Sequence, residues 1–268
     1  MKYLDFVPEE LESIGKFMWD PDYLPIVYNF LELEDKMKVL DVGCGTGTFT
    51  RKIAYRVKEG EIIGLDIDEK LLESAKKIAK EKDLKIKYVK GNVYNLEFED
   101  NYFDLVTCQK LLCNLDKPED ALKEMIRVSR DKVVAIEPHN SGFVEYCEDE
   151  EFLEFLRLVR KAEVKSEKSL REKNVDLSIG PKLPTMFYRN GLTDVETKGY
   201  LIINVSNERE NNPTNFEIEK LKKVLTKNEI EKFNRFSKIN KEPPKGSLQA
   251  SPIFIVKGVK DGKKTKIS

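Results

Sequence analysis

The chain has 268 residues, 40% of them hydrophobic and 35% charged, with 47 Lys and Arg against 48 Asp and Glu. That length suits one large α/β domain, or one domain carrying a lid. A net charge of −1 supplies no global basic field to gather nucleic acid or an anionic membrane, so a nucleic-acid partner is not expected. Cys44, Cys108, Cys113 and Cys147 show no C-x-x-C spacing and His139 is the single histidine, a pattern that argues against structural zinc and against a secreted disulfide framework. No metal is expected. Met1 to Glu12 is acidic and mixed, unlike a signal peptide, and no apolar run approaches the ~20 residues of a bilayer span. A cytoplasmic protein is expected.

Tyr3 to Leu33 carries an apolar stripe (Phe6, Leu11, Ile14, Phe17, Leu24, Val27, Tyr28, Leu31) and reads as an N-terminal helical cap over residues 1–35. Pro8 and Pro21 stand where helices could begin. Val39 to Val42, broken only by Asp41, suits a buried parallel strand. Gly43, Gly45 and Gly47 then allow a tight turn and leave no side chain between backbone and ligand. A helix from about Thr48 would point its free N–H groups into the same crevice. The spacing D-x-G-x-G-x-G is not the dinucleotide fingerprint, and no Lys-Ser/Thr pair follows to make a P-loop. Cys44, inside this loop, reads as a small packing residue rather than a nucleophile.

Glu61 to Asp66 is the second strand. Asp66, followed by Ile67, ends it about twenty residues beyond the glycine loop, the distance expected of an acid that accepts from ribose hydroxyls. Asp68 reads as the N-cap of a helix whose inner face is Leu71, Leu72, Ala75, Ile78 and Ala79. Lys85 to Lys90 is a third strand leading into Gly91-Asn92-Val93. Leu105 to Cys108 is the fourth, with Gln109 leaving its carboxyl end, where open α/β sheets bind ligands. A helix begins at Pro118, and Lys132 to Pro138 is the fifth strand. Residues 140–180 read as charged and helical around Phe152, Phe155 and Leu156, and Gly191 as a helix C-cap. Val195 to Val205 is the sixth strand, Glu217 to Lys238 an amphipathic helix, Pro252 to Gly258 the last strand, and 261–268 a disordered tail.

The run Val39-Leu-Asp-Val-Gly-Cys-Gly-Thr-Gly47, with Phe103-Asp-Leu-Val106 and the A-L-x-E-x-x-R-V…E-P pattern over residues 121–138, resembles the class I S-adenosylmethionine-dependent methyltransferases. The likeness is to their small-molecule branch, the one that includes quinone-biosynthesis methyltransferases. It is strong over about residues 36–140 and only in outline beyond. It implies a doubly wound, seven-stranded, mostly parallel sheet with the seventh strand antiparallel and helices on both faces. A Rossmann-like methyltransferase domain would span 36–260, with lid insertions at about 141–190 and 207–245.

The resemblance also implies the cofactor, S-adenosyl-L-methionine. Asp41, Gly43, Cys44, Gly45, Gly47, Asp66 and Ile67 would hold it. Asn92 would accept from the adenine amino group where the family usually has Asp, and Val93 would donate its backbone N–H. Gln109 would touch the methionine half or the substrate. Trp19, Tyr23, Tyr146 and Tyr188 are candidate substrate or lid residues, aromatic faces being suited to a sulfonium cation. The expected reaction is in-line methyl transfer to a small-molecule acceptor. His139, after the fifth strand, is the candidate general base, ahead of Tyr94, Glu137, Tyr146 and Tyr188. Two departures are visible: Cys113-Asn114 stands where many relatives have a histidine, and no N/D-P-P-Y/F follows the fourth strand. The latter argues against methylation of amide or exocyclic amino nitrogens. The rival readings are a nucleic-acid or protein methyltransferase, for which Lys161, Lys165, Lys168 and Arg171 would supply a basic groove, and a non-catalytic S-adenosylmethionine-binding protein.

Overall fold

A computed structural model of the chain describes residues 8–9, 11–12, 23–171, 176–205, 225–239 and 244–260. Trp19, most of the 1–22 cap, residues 206–224 of the second insertion and the 261–268 tail lie outside the described residues. The elements in chain order are α1 (Leu24–Leu31), β1 (Lys38–Val42), α2 (Thr48–Ala54), β2 (Glu61–Asp66), α3 (Glu69–Glu81), β3 (Lys87–Lys90) and β4 (Phe103–Gln109). There follow α4 (Pro118–Val128), β5 (Ser129–Pro138), β6 (Val144–Tyr146), α5 (Glu150–Arg171), α6 (Leu183–Arg189), β7 (Leu192–Val205), α7 (Lys227–Ile239) and β8 (Leu248–Lys260). Short 3₁₀ turns occupy Leu112–Asn114, Asn140–Gly142 and Gly180–Lys182.

The sheet runs β3-β2-β1-β4-β5-β8, with β7 on the outer edge of β8. β1 to β5 are mutually parallel, and β8 runs antiparallel to β5. The expected order of strand and helix therefore holds, with an addition. The described sheet has eight strands, not seven. The extra one, β6, is a three-residue strand that carries on beside β8 where β5 has ended, Val144 to Tyr146 facing Ala250 to Leu248. With β7 and β8 it builds a three-stranded arm beyond the carboxyl end of β5.

The inner strands are buried on both faces, which is why they read as near-continuous apolar runs. Val39, Leu105, Val134 and Ile136 pack with α1 and α2 through Val27, Phe30, Leu31, Phe49 and Ile53. Leu40, Val42, Val106, Val133 and Ala135 face the other way, onto Ala121, Leu122 and Met125 of α4 and Leu183, Met186 and Phe187 of α6. Asp68 caps α3, accepting from the Lys70 N–H at 2.9 Å. The two insertions meet each other: Phe152, Phe155 and Leu156 of α5 form a separate small core with Phe233 of α7.

At the α1 face, Glu32 ends its helix in the left-handed conformation and turns its carboxylate onto two buried lysines. Its oxygens pair with Lys132 at 2.8 Å and Lys257 at 2.7 Å, whose side chains are 7% and 6% exposed. Removing one partner of a buried pair costs about 3–5 kcal/mol, because the survivor keeps its desolvation penalty. Lys257 retains Glu196 at 2.9 Å and Glu32 is itself 53% exposed, so Glu32→Gln is expected to lower unfolding free energy by a smaller amount, roughly 1–2 kcal/mol. Urea denaturation measures this, and an unchanged midpoint would contradict it.

Candidate functional site

The residues expected to bind the cofactor lie at or just beyond the carboxyl ends of β1, β2, β3 and β4. β1 lies between β2 and β4, with Asp41 opposite Gly64 on one side and Thr107 on the other. The glycine loop leaves β1 through Gly43, Gly45 and Gly47, all with positive φ. Its first amides turn back onto β2: the Gly43 and Cys44 N–H groups both donate to the Leu65 carbonyl, at 2.7 and 3.0 Å.

The glycines do different work. A Cβ on Gly47 would fall 2.2 Å from the hydroxyl of buried Tyr88, and one on Gly43 would fall 2.7 Å from Leu111. Those two positions are closed by protein. At Gly45, among the described residues, only Leu11 comes within reach, at 3.9 Å, so the missing side chain leaves the backbone open there.

Asp66 is hydrogen-bonded to the same residue. One carboxylate oxygen accepts from the Gly45 N–H at 2.8 Å and the other from the Asp68 N–H at 2.9 Å. Burial, opposed by those amides, pushes its pKa above the usual carboxylate range. Ile67 beside it is exposed. Asp41, 1% exposed, accepts from the Thr50 hydroxyl at 2.5 Å. Burial above all, with the charge of Asp66 adding, raises its pKa to about 7. Gln109 ends β4 beside Ile136 of β5. Asn92 is exposed just beyond β3, and its side-chain oxygen accepts from the Tyr94 N–H at 3.0 Å. A second lone pair on that oxygen remains for a further donor. The Val93 side chain is buried in the core.

Residue 12 reaches the same loop. Arg51, buried in α2, donates to the Thr46 carbonyl at 2.7 Å and pairs with Glu12 at 2.7 Å. Thr48 also donates to Glu12, at 2.9 Å. The N-terminal segment is thus tied to the glycine loop at Leu11–Glu12.

Several expectations change. Tyr23 is not at the cofactor's mouth: its ring stacks on Tyr200 of the edge strand β7, centroids 4.9 Å apart. Tyr188 is 60% exposed on the outer side of α6, which runs from Gly180, beside the carboxyl end of β5, toward the amino end. Helical period turns Leu183, Met186 and Phe187 inward and Tyr188 outward. Tyr146 is exposed on the arm. Tyr94 donates to Asp116 at 2.5 Å, and burial with that hydrogen bond pushes its pKa up to about 12, the wrong direction for a base. Burial pushes the Cys44 thiol well above its usual range, in keeping with a packing role.

Glu137 is a clamp rather than a free base. It is fully buried on β5, and its carboxylate accepts from the N–H groups of Leu111 at 3.0 Å, Leu112 at 2.8 Å and Cys113 at 3.3 Å. The signal was available in the sequence: a carboxylate inside an apolar buried strand must find donors. His139 follows at the end of β5, its ring edge-on to Phe254 with centroids 5.9 Å apart. Its backbone N–H donates to the Pro252 carbonyl at 3.0 Å, and its Nδ1 is buried with no hydrogen-bond partner among the described residues.

Comparison with known proteins bears on this geometry directly. The family model described as "Methyltransferase domain" matches residues 39–132, the stretch from β1 into β5. A demethylmenaquinone methyltransferase of a Geobacillus species is 33% identical over 179 residues, which cover 63% of this chain and 76% of that protein. The chain belongs to the class I S-adenosylmethionine-dependent methyltransferases. An uncharacterized methyltransferase of Schizosaccharomyces pombe is 39% identical over 100 residues, 35% of this chain, and the match spans only 36% of that protein's length. Among solved structures, the YcgJ protein of Bacillus subtilis superposes with a TM-score of 0.58 at 18% identity, over 90% of this chain and 99% of its own. That likeness concerns the fold.

For a methyltransferase of this class the cofactor is S-adenosylmethionine. The described residues are suited to it: a backbone left open at Gly45, a carboxylate at Asp66 and an exposed apolar neighbour at Ile67. Among the described residues no group of three or more His, Cys, Asp or Glu could hold a metal ion, and no helix is long and apolar enough to cross a membrane.

Proposed function

We propose that this methyltransferase acts on a small-molecule acceptor that enters over the carboxyl ends of β4 and β5. The observation that carries the reading is the open backbone at Gly45 facing the Asp66 carboxylate, beside the ends of those two strands. Support for a small acceptor comes from the 33% identical relative that bears the name demethylmenaquinone methyltransferase. The near-neutral net charge fits a partner other than nucleic acid.

Bound in the cradle, the cofactor supplies a methyl group on a positively charged sulfur with a neutral thioether as leaving group. The protein's share is placement. Gly45 lets the cofactor approach the backbone, Asp66 accepts from ribose hydroxyls, Asn92 from the adenine amino group, and Val93 donates its N–H. Asp41, Gly43, Cys44 and Gly47 shape the loop, and Gln109 faces the methionine half or acceptor. Leu11–Glu12, tied to the glycine loop, and α5 with α7 would help to exclude water and hold the nucleophile in line.

His139 takes the acceptor's proton when the nucleophile is a hydroxyl or an activated carbon. Its Nδ1 at the end of β5, unpartnered among the described residues, supports this role. His139→Ala is expected to lower turnover by about 10²-fold or more with cofactor affinity unchanged. Steady-state kinetics with parallel binding measurements separate the outcomes: equal losses in both would mean a structural role. The substrate class is tested by methyl transfer from labelled cofactor into small molecules, RNA and protein. Label only in RNA or protein would overturn the reading.

A further inference from the structure

Glu137 does more than satisfy itself. Its carboxylate spans from the end of β5 to the turn after β4, where it gathers three consecutive N–H groups, those of Leu111, Leu112 and Cys113. The Cys108 thiol on β4 donates to the same carboxylate at 3.8 Å. These amides belong to a turn that has its own contact with the cofactor cradle. The Leu111 side chain lies over Gly43, so close that a Cβ there would meet it at 2.7 Å. On the other side the Cys113 carbonyl accepts from the Asp176 N–H at 2.9 Å, joining the turn to the segment before α6.

We propose that Glu137 is a positioning residue for cofactor binding: its ionised carboxylate fixes the Leu111–Cys113 turn, the turn seats Leu111 against Gly43, and this holds the glycine loop in its binding shape. The inference rests on the assignment of that loop as the cofactor cradle. Three donors converging on one carboxylate require its lone pairs, and a protonated acid gives up part of that acceptor capacity and gains a donor among donors. The clamp is therefore strong when Glu137 is charged and loosened when it is protonated. Burial raises its pKa to about 7, the amides opposing the rise. Cofactor affinity is accordingly full above that pH and falls below it.

The groups that face Glu137 bear on the same titration. Cys108 and Cys113 are buried thiols whose pKa values are pushed up, by burial first and then by Glu137, so both are uncharged near neutrality. Lys110 at the start of the turn is the nearby cation. Phe254, its register partner on β8, and Gly180, beside its carbonyl, bring no charge. Asp41 titrates in the same window from β1, with β4 between it and β5, and the test must separate it.

Calorimetric titration with S-adenosylhomocysteine from pH 6 to pH 8 does so. For the wild-type chain affinity is expected to fall about tenfold from pH 8 to pH 6, since only about a tenth of the carboxylate is ionised one unit below its midpoint. Glu137→Gln is expected to bind about tenfold more weakly at pH 8 and to lose the slope, with amide exchange at Leu111 to Cys113 at least tenfold faster. Leu111→Ala, which leaves the carboxylate in place, is expected to weaken binding and flatten the slope as well, and it tests the relay if Glu137→Gln is poorly folded. A wild-type slope surviving in either variant would assign it to Asp41 and overturn the clamp. Wild-type affinity that is constant across the range would also overturn it, whereas no binding by the wild type at any pH would contradict the cradle itself.

Discussion

Gly45→Val is expected to abolish cofactor binding in a protein that still folds. The residue has φ +54°, a conformation in which a β-branched side chain is strained by about 1–3 kcal/mol. Among the described residues only Leu11, at 3.9 Å, approaches the added Cβ, so they leave room for it. The new methyl groups would take up room beside the Gly45 backbone, where the cofactor is proposed to approach. Gly47→Val is the informative contrast. Its Cβ would lie 2.2 Å from the Tyr88 hydroxyl and 2.8 Å from its ring, and that ring is buried against Leu72, Ala75 and Ala79 of α3. Overpacking of this kind typically costs 1–3 kcal/mol and here adds to the positive-φ strain. Thermal denaturation alongside ligand titration distinguishes the pair: Gly45→Val should lose binding with a modest fall in Tm, and Gly47→Val should lose stability first. Retained affinity in Gly45→Val would remove the cradle from the account.

Asp66→Ala is expected to weaken S-adenosylmethionine binding by about 1–3 kcal/mol, roughly 5- to 150-fold in Kd. Two losses combine. The carboxylate that would accept from ribose hydroxyls disappears, and so does the acceptor that holds the Gly45 N–H at 2.8 Å and the Asp68 N–H at 2.9 Å. The second loss loosens the glycine loop, which the Gly45 N–H bond ties to the end of β2. Asp66→Asn should fall between the wild type and Asp66→Ala, since one oxygen remains to accept. Unchanged affinity in both would refute the ribose role.

The strand, glycine loop and helix on which the cofactor reading rests were legible in the sequence because they are local. A strand, three glycines and a helix within about a dozen residues build the loop, and β2 runs over Glu61 to Asp66 as read, ending on its acid. Elements defined by distant partners were less legible. β8 begins at Leu248 rather than Pro252 because its first residues pair with β6 and β7, and β6 itself exists only through contact with β8, about a hundred residues later. Glu137 looked like a free acid because its donors lie some twenty-five residues away in the chain. Tyr23 looked like a lid residue because nothing in its neighbourhood announces a stacking partner as remote as Tyr200. Elements set by backbone geometry within one turn could be read; side-chain contacts set by tertiary pairing could not.

The central claim is that the loop at Gly43 to Gly47, faced by Asp66, is a cradle for S-adenosylmethionine and not for a dinucleotide. Calorimetric titration of the full chain with S-adenosylmethionine, S-adenosylhomocysteine and NAD in parallel tests it most directly. The account predicts micromolar binding of both sulfur ligands and none of NAD. Failure of both sulfur ligands to bind a folded sample, or binding of NAD in their place, would contradict it.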